Sequence, residues 1–243
     1  MKNIKMKRQD FRKLFIIISF LLFPIIQFYL SPYLPIIGLS QGIVAGALIL
    51  FSLLFVSAFL VGRAPCGWIM PCAGMQEIFE NFQKKPVTNK KANLVKWFIW
   101  IPWVLAMLVL VITNSINKID PFFHTQNGIS VYRPAMYFIY YGVILLVLVL
   151  SLTVGKRGFC HTACWMSPFM IIGIKIGRLI KTPSLKIVAN KQLCIKCSIC
   201  SKNCPMSLDV MNMVNSSKMY NAECILCMNC IDNCPKKVIT WSW

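Results

Sequence analysis

Long uncharged stretches alternate with short basic ones along this chain. From Leu14 to Gly62 no charged residue occurs. A helix crossing a hydrocarbon core of ~30 Å needs about 20 apolar residues, so this stretch can hold two crossings. Ser31-Pro32-Tyr33-Leu34-Pro35 divides it, because two prolines end a helix. Further uncharged runs extend from Trp97 to Asn117 and from Pro134 to Gly155, each long enough for one crossing. The pattern predicts four spans, over about 13–31, 40–62, 95–114 and 134–155.

Lysine and arginine set the orientation of such spans. The N-terminus carries Lys2, Lys5, Lys7, Arg8, Arg12 and Lys13. The segment after the second span carries Arg63, Lys84, Lys85, Lys90, Lys91 and Lys96. After the fourth span the chain resumes with Lys156 and Arg157 and stays basic. By contrast, the 31–39 loop has no charge, and the 115–133 loop has only Lys118 and Arg133 against Asp120. Every basic segment falls on one side. The expectation is a multi-pass protein of a prokaryotic plasma membrane with both termini in the cytoplasm. The basic start runs into the first span without a small-residue cleavage site, so it reads as a span and not a signal peptide. The net charge of +19 is then a topology signal and a contact with membrane lipid, not a nucleic-acid footprint.

Two amphipathic segments follow the even-numbered spans. Met75, Ile78, Phe79 and Phe82 recur at helical spacing, with Gln76, Glu77, Glu80 and Asn81 opposite and Pro71 at the start. Pro168 opens a second, Phe169 to Ile180, with Lys175, Arg178 and Lys181 on one face. Both are expected at the membrane surface. Each half of the region 1–181 therefore reads span, outer loop, span, basic turn, cysteine motif, proline, amphipathic helix. The fold class expected is four transmembrane helices in two pseudo-repeated hairpins. Residues 182–243 have short apolar runs and dense cysteines, and form a small C-terminal α+β ferredoxin-like domain.

Composition agrees: 57% of the 243 residues are hydrophobic and 14% charged. The twelve cysteines are more informative. Cys194-Ile-Lys-Cys197-Ser-Ile-Cys200-Ser-Lys-Asn-Cys204-Pro205 recurs as Cys224-Ile-Leu-Cys227-Met-Asn-Cys230-Ile-Asp-Asn-Cys234-Pro235. Both fit the spacing in which three cysteines wrap one [4Fe–4S] cluster and the fourth ligates its neighbour. The expected sets are Cys194, Cys197, Cys200 and Cys234 for one cluster, and Cys224, Cys227, Cys230 and Cys204 for the other. Zinc ribbons need only paired C-x2-C motifs, and disulfides are disfavoured in a reducing cytoplasm.

The other four cysteines follow the even-numbered spans. Cys66 and Cys72 lie in Gly62-Arg63-Ala64-Pro65-Cys66-Gly67-Trp68-Ile69-Met70-Pro71-Cys72, and Cys160 and Cys164 in Gly155-Lys156-Arg157-Gly158-Phe159-Cys160-His161-Thr162-Ala163-Cys164-Trp165. Basic neighbours and helix N-termini favour thiolates there. A redox role, or an additional metal or cluster, is one reading of the four. Free thiols packing helix ends is the other. His124 falls in the outer loop and His161 at the inner end of the fourth span, so they do not share a haem. No phosphate-binding loop, dinucleotide fingerprint or paired carboxylates occur, and no catalytic residue is assigned.

These motifs resemble a known group, the polyferredoxin-like membrane proteins related to NapH of periplasmic nitrate reduction and NosR of nitrous oxide reduction. The marks are Gly62-Arg63…Cys66-Gly67-Trp68…Pro71, Gly155-Lys156-Arg157…Cys160-His161…Cys164-Trp165, and the tandem cysteine runs. The resemblance implies four spans, cytoplasmic termini, and electron transfer between a quinone or cytoplasmic donor and another redox protein. The group's membrane motif is C-x3-C-P. Here Met70 stands where the first copy's second cysteine is expected, with Cys72 two residues later, and Trp165 replaces the second copy's proline. A loop as short as 115–133 has no room for an outer flavin domain, so the chain is similar to the shorter NapH type.

The function expected is single-electron transfer through two cytoplasmic [4Fe–4S] clusters, by a carrier or oxidoreductase subunit and not a stand-alone enzyme. A quinone site would draw on Gln27, Tyr137, Tyr140 and Tyr141. The basic cluster region suits an acidic ferredoxin or flavodoxin as partner. The alternative is a redox-sensing or maturation protein that works through Cys66, Cys72, Cys160 and Cys164.

Overall fold

The computed structural model describes residues 7–80, 82–89 and 91–243. Lys2, Lys5, Asn81 and Lys90, used above, lie outside the described residues. In chain order the elements are α1 (Arg8–Leu21), α2 (Phe23–Ile26), α3 (Tyr33–Ser40), β1 (Ile43–Ala45), α4 (Gly46–Val61), α5 (Ala64–Trp68) and α6 (Pro71–Glu80). Then come α7 (Ala92–Thr113), β2 (Lys118–Asp120), α8 (Met136–Val154), α9 (Gly158–Thr162) and α10 (Ser167–Leu179). The C-terminal part holds β3 (Lys186–Ala189), α11 (Ile199–Lys202), α12 (Val210–Asn215), α13 (Asn229–Asp232) and β4 (Ile239–Ser242).

Among the described residues two helices are long and apolar enough to cross a membrane, α7 with 22 residues and α8 with 19. The third apolar helix, α4, has only 16 residues. The expected 13–31 span is not one helix. α1 stops at Leu21, and α2 and a 3-10 turn over Phe28–Leu30 continue it. Pro24 explains the break: it has no N–H to donate to the Phe20 carbonyl, and its ring crowds that carbonyl. The 31–39 stretch, expected as a loop, contains α3. Pro35 is tolerated there because it falls in the first turn, where N–H groups have no helical partner.

All four apolar segments turn large side chains outward. Phe15 and Leu21 on α1, Leu53 on α4, Phe98 and Ile112 on α7, and Phe138 on α8 are each more than half exposed. A soluble monomer rarely exposes apolar surface on this scale.

The two halves pack as a pseudo-symmetric pair. α6 lies against α1 of its own half and α8 of the other, while α10 lies against α7 of its own half and α4 of the other. Both α4 and α8 end on a glycine with positive φ, Gly62 at 54° and Gly155 at 120°. With ψ of −133° and −159°, these are conformations that a Cβ opposes. β1 pairs parallel with β2, Ile43 opposite Lys118, and ties the connection between α3 and α4 to that between α7 and α8.

In the C-terminal part β3 pairs antiparallel with β4, Lys186 opposite Ser242. Ile187, Val210, Val214, Val238 and Ile239 fill the space between this hairpin and the cysteine loops.

Candidate metal centres

Each cysteine run bends in the same way. Lys196 and Ser198 in the first, and Leu226 and Met228 in the second, have φ of 53°, 59°, 47° and 61°. Left-handed backbone at non-glycine residues costs about 1–3 kcal/mol each. The repeated alternation curls each loop inward and turns successive backbone N–H groups toward its centre, a geometry suited to an anionic guest. Ser198 and Met228 then lead into α11 and α13.

The side chains collect around two cavities. Cys194, Cys197, Cys200 and Cys234 line one, beside Ile195, Met211 and Val238. Cys204, Cys224, Cys227 and Cys230 line the other, beside Met206, Met213 and Ile225. Each cavity thus takes three cysteines from one run and the fourth from the other. Among the described residues no three His, Cys, Asp or Glu side chains converge closely enough to hold a single ion. Sulfurs set apart around a cavity suit a cubane instead, in which each cysteine binds a different iron. Burial pushes the Cys204 thiol up to about 11 and the Cys224 thiol to about 12. The bare thiols therefore keep their protons at neutral pH, and metal binding would displace them.

The two cavities differ in setting. Cys197 is exposed, and exposed Leu193, Ile195, Lys196 and Lys236 surround its cavity mouth. Cys227 and Cys230 are buried. The second cavity is docked onto the helices. Trp68 Nε1 donates to the Leu226 carbonyl at 3.0 Å, and Gln9 Nε2 donates to the Cys227 carbonyl at 3.0 Å. Gly67 meets Ile225 so closely that an added Cβ would lie 2.5 Å from its carbonyl oxygen. Met206, Ile225 and Cys227 belong to the same apolar core as Phe51, Val147 and Met170.

The remaining four cysteines meet at this junction. Cys66 on α5, Cys72 on α6, Cys160 on α9 and Cys164 just after it are all buried in that same core. Each lies within electrostatic reach of the other three. Cys72 stands in the first turn of α6, which carries its side chain inward, while Met70 only packs against the core's edge. Cys66 Sγ lies 3.4 Å from Met170 Sδ, and Cys160 Sγ accepts from Gln76 Nε2 at 3.2 Å. The expectation that basic neighbours favour thiolates here is corrected for three of the four. Burial raises Cys66 and Cys72, and raises Cys164 to about 12, outweighing the opposing pull of Arg63 on Cys66 and Cys164.

Two ion-pair triads frame these thiols. Arg63 is fully buried, and its Nη1 lies 2.6 Å from Glu223 Oε2. Lys96 Nζ meets the same carboxylate at 2.7 Å. In the second triad Arg12 and Arg157 share Glu77, with Arg12 Nη2 2.9 Å from Oε2. Arg157 also donates to the Cys66 carbonyl at 3.1 Å, across the pseudo-symmetry. Burial alone would push the Glu77 carboxyl up, but Arg157 and Arg12 overrule it and hold it below the usual range.

The sequence reading missed these partners. Gln76 and Glu77, placed on the polar face, are buried or nearly so, while Ile78 and Phe82 on the apolar face are exposed. One signal was available: both halves repeat Arg-x-x-Cys, at Arg63–Cys66 and Arg157–Cys160. Another was scarcity, since a chain with seven acidic residues and many basic ones keeps few unpaired carboxylates.

His161 is buried with Nδ1 2.8 Å from Asn93 Oδ1, and His124 lies before the opposite end of α8. Tyr137, Tyr140 and Tyr141 pack on one another on α8, and Tyr140 meets Phe23, one turn before Gln27. Gln27 is buried with its Oε1 unpartnered.

Residues 193–239 match the 4Fe–4S dicluster domain family. Two uncharacterized proteins of Methanocaldococcus jannaschii are similar over most of the chain. MJ0750 is 24% identical over 200 residues, 77% of this chain and 75% of that protein. MJ0749 is 25% identical over 203 residues, 79% of this chain and 72% of that protein. YccM of Escherichia coli, named for electron transport, is 23% identical over 197 residues, 75% of this chain and 52% of that protein. The chain thus spans about half of YccM's length. No solved structure matches. The chain carries a ferredoxin-type iron–sulfur domain, and its similarities point to electron transfer.

Proposed function

We propose that the protein is a membrane-bound, NapH-like single-electron carrier with two [4Fe–4S] clusters in its C-terminal domain. Cys194, Cys197, Cys200 and Cys234 hold one, and Cys224, Cys227, Cys230 and Cys204 the other. The observation that carries this is the asymmetry of the two cavities. One is built into the helical core through Ile225 and Cys227, and the other opens to water at Cys197. Such an arrangement suits a relay from the membrane side to a soluble partner. The clusters supply one-electron chemistry when bound. The chain's own residues position them, exclude water from the inner cavity and present the outer one.

Four crossings complete the reading. α7 and α8 make two, and the outward apolar side chains of α1, α2 and α4 support two more. Both termini and the cluster domain then face the cytoplasm. A quinone between the helices is one candidate donor. On the aqueous side, exposed Lys191, Lys196, Lys218, Lys236 and Lys237 favour a small acidic carrier, such as a ferredoxin or flavodoxin. The alternative role in redox sensing or maturation is less favoured, because burial keeps Cys66, Cys72 and Cys164 protonated and away from solvent.

Anaerobic iron analysis with low-temperature EPR tests the reading. At least about eight irons per chain are expected, from four per cluster. The reduced protein should show two spin-coupled [4Fe–4S] centres that reoxidise by one electron each. Zinc, or about four irons, would sink it.

A further inference from the structure

We propose that Cys66, Cys72, Cys160 and Cys164 hold a third [4Fe–4S] cluster, at the junction of the two helical halves and beside the inner cavity of the C-terminal domain. Two thiols come from each half, so the site exists only when the pseudo-repeats are packed together. All four are buried in one core, and none is in a disulfide. They do not converge on a single-ion site, and neither do the eight cysteines of the dicluster domain.

The charges around the thiols point the same way. Arg12, Arg63, Lys96 and Arg157 are each at most 3% exposed, and among the described residues only Glu77 and Glu223 pair with them. Four cations against two carboxylates leave two positive charges inside an apolar core. A buried charge without a counter-charge is strongly disfavoured. Four thiolates on a cubane core of two positive charges carry two negative charges, a counter-charge for these cations beside that of the inner cluster. Forming the site releases one proton per cysteine as each sulfur binds iron.

Hydrogen-bond donors are left over as well. Arg63 Nε and Nη2, Arg157 Nε and Ser167 Oγ are buried without partners. Thiolate and sulfide ligands of a cluster accept such bonds. The competing occupant for this charge is the neighbouring cluster at Cys224 and Cys227. Arg157 is shared with it, since Cys160 and Cys227 both lie within its reach. Arg63 is shared too, facing Cys66, Cys160 and Cys164 on one side and Cys224 on the other. If the four were only packing thiols, Arg63 Nε and Nη2 and Arg157 Nε would sit in the core with donors unused.

The test uses the full-length protein in detergent, reconstituted anaerobically with iron and sulfide. About 12 irons per chain are expected, four for each of three clusters. Cys66→Ala with Cys160→Ala should lose about a third of the iron and keep the spin-coupled signals of the dicluster domain. A variant that loses no iron overturns the proposal, whatever the wild-type total. Should the double variant fail to fold, Cys164→Ala with Cys72→Ala replaces it. Should both fail, the wild-type count decides: about 12 supports the site, and eight or fewer overturns it. A count of eight with both dicluster signals present refutes this site alone and leaves the function proposed above standing.

Discussion

Arg63 and Glu223 stand 160 residues apart in sequence and 2.6 Å apart in space. Arg63 follows the glycine that ends α4, and Glu223 immediately precedes the first cysteine of the second run. One ion pair thus joins the end of the apolar helix α4 to the rim of a cysteine-lined cavity. Lys96, at the start of α7, closes on the same carboxylate.

Glu223→Gln should therefore destabilise the protein severely. Removing one partner of a buried pair costs about 3–5 kcal/mol, because the other charge is left uncompensated. Here two cations, Arg63 and Lys96, lose their carboxylate together. Thermal unfolding in detergent, and faster proteolysis between residues 180 and 190, should report the loss. Unchanged stability would contradict the docking role.

Glu77 gives a pH dependence of definite sign. Arg157 and Arg12 hold its carboxyl below the ordinary carboxylate range in the folded protein. A depressed carboxyl adds stability that is complete above the unfolded value and is lost as pH falls through the folded value. The stability gap between wild type and Glu77→Gln should be constant from pH 7 to about 5 and shrink as pH falls further. Urea titrations in detergent across that range measure it. A gap that widens toward low pH has the wrong sign.

Crossed ligation predicts that Cys204→Ser alters the cluster held by Cys224, Cys227 and Cys230, not the one in its own run. EPR of the reduced variant should show the solvent-side centre intact. Loss of that centre with the inner one preserved would reverse the assignment.

Topology is open to reporter fusions. Fusions after Lys118, beside β2, and after Trp243 should report opposite sides of the membrane. The same side at both points contradicts four crossings.

The lysines around the outer cavity predict salt-sensitive partner binding. Electron exchange with a small acidic carrier should slow as ionic strength rises, because screening shortens the reach of exposed charges. Lys236→Glu with Lys237→Glu should slow it further at low salt. A rate indifferent to both would leave these lysines facing anionic lipid.

The dicluster domain was legible because its ligand spacing is dictated by the cluster it wraps, and residues 193–239 match that family. Helical segments were legible from uncharged runs, but their continuity was not: Pro24 breaks the first run within what reads as one span. Helix faces were the least legible. On α6 the period was found, yet Gln76 is buried and Phe82 is exposed. In a helix bordering lipid, apolar residues need not point inward, so periodicity identifies the helix without saying which side is the core. The triads were invisible for another reason: Arg63 and Glu223 share no local pattern, and only the assembled tertiary structure brings them together.

The pseudo-symmetry is broken at one informative place. Counting from Pro71 and Pro168, the second half has Ile174 where the first has Glu77, and Glu223 of the C-terminal domain supplies the missing carboxylate to Arg63 and Lys96. The helical part is thus incomplete on its own. Until the C-terminal domain has docked, two cations inside the helical bundle, Arg63 and Lys96, stay without that counter-ion. Folding of the C-terminal domain thereby becomes a condition for completing the helical part, because its carboxylate is a structural component of the bundle.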